Sequence, residues 1–134
     1  MRTIIALDPG TRKCGLLIAE RNLGCVLDGR VVDKCAVKEL IDFWLNRTNV
    51  EDILIGNGTS STSWQKELEN IKPLRIVDER GTTLRARKRY WDLWPPRDWL
   101  RLFPRGLISP PDDLDAVAAL IMLEDYLKQK LQWE

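Results

Sequence analysis

Histidine is absent from this 134-residue chain. That absence removes the commonest general base, every His-containing zinc site and any Ser-His-Asp triad. Cysteine is scarce: Cys14, Cys25 and Cys35 are odd in number and lack CxxC spacing, which fits reduced thiols better than a disulfide framework. No apolar run approaches membrane-spanning length, and the one after Arg2 is too short for a signal-peptide core. The sequence therefore predicts a soluble, cytoplasmic protein with no membrane partner. Net charge is small as well: 21 basic and 20 acidic residues leave +1, so any affinity for a polyanion must come from a local patch. The length suits one domain, residues 1–134, with one core.

What is present is a set of carboxylates at the ends of apolar segments. Asp8 closes the run Thr3-Ile4-Ile5-Ala6-Leu7 and is followed by Pro9-Gly10-Thr11, so it stands at the carboxyl end of a buried strand. In open α/β sheets ligands bind at that edge. Glu79 follows Leu74-Arg75-Ile76-Val77-Asp78, and Asp115 enters the last helix. Three carboxylates on three element ends suit a hard divalent cation such as Mg²⁺ or Mn²⁺. Asp112, one helical turn before Asp115, is either the helix cap or a fourth ligand. Each acid also has an ordinary reading. Asp-Pro-Gly is common turn chemistry, and acids near helix starts act as caps or dipole partners. An unpaired charge entering a buried helix is costly, however, which favours ligation for Asp115.

Pattern along the chain predicts strands at 2–8, 13–20 and 24–33, the first two antiparallel across the Pro9–Arg12 turn. Val37, Leu40, Ile41, Trp44 and Leu45 lie at helical spacing. A short strand at 52–56, a helix near 63–71, a strand at 74–78, a helix from Thr82 or Thr83 to about 93, and a buried helix over about 112–130 follow. This order suggests an α/β fold, a mixed sheet with helices on both faces.

Candidate anion contacts flank the acids. Gly10 lets backbone approach a phosphate, with Arg12 and Lys13 beside it; Asn57 opens the loop Gly58-Thr59-Ser60-Ser61 ahead of a helix. Arg80 follows Glu79. Arg85, Lys88 and Arg89 share one helix face, and Arg97, Arg101 and Arg105 extend the basic stretch through a Pro-rich segment. Basic groups among aromatics suit a nucleic-acid backbone. The tryptophans there are better read as packed inward.

Leu7-Asp8-Pro9-Gly10-Thr11 with Gly15, Asp78-Glu79-Arg80 with Thr82-Thr83, and Asp115-Ala116 with Ala118-Ala119 stand in an order and spacing that resembles the YqgF/RuvX family. Its members are ribonuclease-H-like proteins described as pre-16S rRNA nucleases and Holliday-junction resolvase homologues. The resemblance spans nearly the whole chain. It implies a ribonuclease-H-like fold, a five-stranded mixed sheet with its second strand antiparallel, and an acidic site of Asp8, Glu79 and Asp115. Asp8-Pro9-Gly10 and the Asp112-to-Asp115 spacing are also similar to the resolvase branch. Two departures stand out: Gly81 where the family is more often bulky, and a Trp/Pro/Arg-rich stretch from Trp91 to Pro111.

The expectation is a metal-dependent nuclease acting on precursor rRNA, with branched DNA as the second substrate candidate and monomer or homodimer both open. A binding module that keeps the fold without cutting is the rival class. An actin-like ATPase also opens on an Asp-x-Gly-Thr loop, but it needs two such domains and this length supplies one.

Overall fold

The computed structural model describes residues 2–10, 12–58, 61–68, 74–78, 82–95 and 114–133. Among these residues, five strands and four helices run β1 (Arg2–Asp8), β2 (Lys13–Glu20), β3 (Cys25–Asp33), α1 (Val37–Arg47), β4 (Asn49–Gly56), α2 (Ser61–Leu68), β5 (Leu74–Val77), α3 (Thr82–Leu93) and α4 (Asp115–Leu127), with a 3-10 turn at Lys34–Ala36 before α1.

The strands form one sheet in the order β3-β2-β1-β4-β5. β2 pairs antiparallel with both β1 and β3, while β1, β4 and β5 are parallel. This is the five-stranded mixed, ribonuclease-H-like sheet expected from the sequence. β1 is central and reads as an unbroken apolar run because both of its faces are covered. Side chains alternate along it. Ile5 and Leu7 pack with Val37, Ile41 and Trp44 of α1 and with Trp64 and Leu68 of α2. Ile4 and Ala6 face Ala119, Leu120 and Leu123 of α4. The stripe read at helical spacing is the face α1 buries: Val37, Ile41 and Trp44 are buried, with Leu40 and Leu45 against them.

α4 is buried without interruption from Ala116 to Glu124, as an all-round apolar helix must be. One side meets the sheet. The other meets α3, where Ala86, Tyr90 and Trp91 pack on Val117 and Ala118. After α4, Lys128 turns left-handed at φ 57°. Residues 131–133 then lie along the outer edge of β3, where the Val26 N–H donates to the Gln132 carbonyl at 2.7 Å and the Gln132 N–H to the Gly24 carbonyl at 2.9 Å. No helix among the described residues is long and apolar enough to cross a membrane.

Candidate functional site at the carboxyl end of the sheet

Because β1, β4 and β5 are parallel, their last residues share one edge. Leu7 lies level with Ile55, Gly56 with Val77, and the Asn57 N–H donates to the Val77 carbonyl at 3.0 Å. Asp8, Asn57 and Asp78 therefore stand side by side at the ends of three adjacent strands. By the alternation of β1, Asp8 falls on the α4 side.

The approach of α4 depends on Gly15. Gly15 is the β2 partner of Asp8 across the ladder. A Cβ built on it would collide with the Asp115 carbonyl and come within 2.8 Å of the Ala116 nitrogen. Only a residue without a side chain lets the first turn of α4 rest on the strand there. The antiparallel pairing and this contact together bring Asp115 to Asp8. Both carboxylates also act on one neighbour: burial pushes the Cys14 thiol up, a hydrogen bond from the Gly10 backbone opposes this, and Asp8 and Asp115 push it further up, against Lys34.

Asp115 is the first residue of α4, and its cap position is Leu114, which makes no side-chain cap hydrogen bond. Asp115 is thus not the N-cap, although its place in the first turn suits the helix dipole. Gly10 also has a role inside the chain, since a Cβ there would strike the Lys13 carbonyl within the β1–β2 turn. Arg12, Lys13 and Asn57 are exposed at this edge, and Asp8, Lys13, Asn57, Asp78 and Asp115 all have interaction partners.

The basic face expected on α3 is arranged differently. Arg85 donates from Nη1 and Nη2 to the two Asp125 carboxylate oxygens at 2.8 and 2.7 Å. Arg89 donates from Nε and Nη2 to Glu124 at 3.0 and 2.8 Å, and from Nη2 to the Leu131 carbonyl at 2.7 Å. Its side chain is 12% exposed. These two guanidiniums fasten α3 to α4 and to the C-terminal segment. Lys88 between them is exposed. Tyr90 and Trp91 are buried, as the sequence indicated.

Glu79, Arg80, Arg97, Arg101, Arg105 and Asp112 lie outside the described residues. Among the described residues, no three acidic, histidine or cysteine side chains form a metal-binding group. Asp8 and Asp115 bring two carboxylates to the surroundings of Gly15 and Cys14, and oxygen donors suit Mg²⁺ or Mn²⁺ and not a soft metal. All three cysteines are free thiols.

No family model matches the chain, and no curated protein matches it. Among solved structures the chain is similar to the catalytic core domain of BIV integrase, at 13% identity and a TM-score of 0.37, over 92% of this chain and 81% of that one. The fold assignment stands on the strand order and directions given above.

Proposed function

We propose that this chain is a metal-dependent nuclease that cuts phosphodiester bonds in structured nucleic acid, with Asp8, Asp115 and Glu79 as its acidic residues. The observation that carries the reading is the convergence of Asp8 and Asp115, from the first strand and the last helix, across Gly15. Both carboxylates act on the Cys14 thiol from this end of the sheet, and two oxygen donors from separate elements suit a hard divalent cation. Asp8 and Asp115 would hold Mg²⁺ or Mn²⁺, with Glu79 and Asp112 as further ligands from sequence. Such an ion supplies charge that favours attack by water and departure of the leaving oxygen. Arg12, Lys13 and Asn57 would hold the neighbouring phosphates, joined by Arg80, Lys88 and the arginines at 97, 101 and 105. Membership of the YqgF/RuvX family and cytoplasmic 5′-end processing of precursor 16S rRNA are the finer form of the same proposal.

The test is cleavage of a folded 16S rRNA precursor and of a four-way DNA junction, with Mg²⁺ and with chelator, followed by mapping of the ends. Defined ends from the rRNA precursor support the finer reading; defined ends from the junction alone assign the resolvase activity. Asp8→Asn and Asp115→Asn should each abolish Mg²⁺-dependent cleavage and leave the protein folded. Cleavage that survives either substitution sinks the proposal. Tight binding by wild type with no cleavage of either substrate makes the chain a binding module.

A further inference from the structure

A cleft of about 560 Å³ opens on the α1 and α2 side of the sheet, lined by Lys34, Cys35, Lys38, Trp64 and Glu67. We propose that it is a binding site for a backbone phosphate of the nucleic-acid strand, gripped by Lys34 and Lys38; this rests on the nuclease reading above. Neither lysine was a candidate in the sequence, because each is an isolated charge there.

Position is the first argument. Gly15 lies opposite Asp8 and Lys13 opposite Asp33 in successive ladders, and the Lys34 N–H donates to the Arg12 carbonyl at 3.0 Å. The cleft therefore begins at the same end of the sheet as Asp8, two strands away. The lateral separation, two interstrand spacings, is about 10 Å. Asp8 falls on the α4 face and the cleft on the other, so a strand that lay over Asp8 would cross the end of the sheet past Arg12 and Lys13 to reach Lys34.

Charge is the second. Lys34 and Lys38 are both exposed, the first in the 3-10 turn and the second in the first turn of α1, and both line the cleft. Neither side chain has a carboxylate at ion-pair distance among the described residues, unlike Arg85 and Arg89, which are committed to Asp125 and Glu124. The wall residue Trp64 is 2% exposed, and its Nε1–H has no acceptor among the described residues. Glu67 is the acidic group in the lining, and its charge opposes an anion.

Binding should be measured by fluorescence polarisation with chelator present, using a labelled RNA hairpin and a labelled four-way DNA junction over a range of salt. Lys34→Gln with Lys38→Gln should weaken binding and lower the log–log salt slope by about 0.7–0.9 for each phosphate that is no longer neutralised. Glu67→Gln should tighten binding, a change that a folding defect does not produce. Wild-type binding with an unchanged slope in the double variant overturns the cleft and leaves the nuclease reading standing. Absence of binding by wild type to either probe overturns both. If inorganic phosphate raises the melting temperature of wild type but not of the double variant, while RNA affinity is equal in the two, the cleft takes free phosphate and the proposal fails.

Discussion

Glu124 interrupts an otherwise apolar helix, and its carboxylate, 5% exposed, is tolerable there because Arg89 meets it with two hydrogen bonds while the Leu131 N–H donates to the same group at 2.7 Å. Removing one partner of such a pair strands the other. Arg89→Met should therefore cost about 3–5 kcal/mol in urea unfolding. Adding Glu124→Met should recover part of that loss, and a double variant as unstable as the single one would show that the charge is not the cause. Arg85 and Asp125 behave differently because both are half exposed. The Arg85 hydrogen bonds hold the Asp125 carboxyl below its ordinary range. A depressed carboxyl contributes stability above its unfolded pKa, near 4, and loses it as pH falls through the folded value. Asp125→Asn should thus lower the melting temperature slightly at pH 7, by no more than about 1 kcal/mol of stability. The gap should close well below pH 4; a gap that persists in acid would assign the effect to packing.

At the scale of elements, the contact between β2 and the start of α4 couples the fold to the site. Gly15→Ala must push α4 off the strand, because the obstacle is the Asp115 backbone and not a side chain that can swing away. Overpacking of this kind costs about 1–3 kcal/mol. The Mg²⁺ concentration for half-maximal cleavage should rise along with that loss, and a variant with wild-type melting would show that the two elements are less close. The elements themselves were largely legible: unbroken apolar runs marked the strands, and Val37, Ile41 and Trp44 marked α1. Boundaries shifted for local reasons. β4 starts at Asn49, earlier than its apolar run, since Val50 is buried while Glu51 faces Arg2 and Arg21 at 3.6 and 3.5 Å. α4 stops at Leu127 because Lys128 leaves helical geometry.

The pairing of Arg85 and Arg89 was not read, because their acids lie 40 and 35 residues away on another helix. One signal was available: Glu124 and Asp125 close an apolar run, and a buried acid calls for a cation. Asp8 was legible from its strand end and Asp115 from the burial of the helix it enters. Lys34 and Lys38 acquire meaning only from the cleft they share.

For the whole molecule, a cation held by the folded state alone must raise its stability by mass action, by about 2.7 kcal/mol at a hundredfold excess over the dissociation constant. The melting temperature of wild type should rise with Mg²⁺, and that of Asp8→Asn should not. Without Mg²⁺ the order should reverse, since the substitution relieves repulsion between carboxylates. A wild-type melt indifferent to Mg²⁺ and Mn²⁺ would remove the cation from the reading. The second whole-chain link is the segment after α4, which crosses back to β3. The Val26 amide hydrogen is covered by the Gln132 carbonyl alone, at 2.7 Å on the outer edge of the sheet. Its exchange with deuterated water therefore clocks release of that segment, while amides of β1, in the middle of the sheet, wait for global unfolding. In wild type the Val26 signal should fade well before those of Ile4 to Leu7. In Arg89→Met, which removes the anchor on the Leu131 carbonyl, it should fade sooner still, by a larger factor than the β1 amides accelerate.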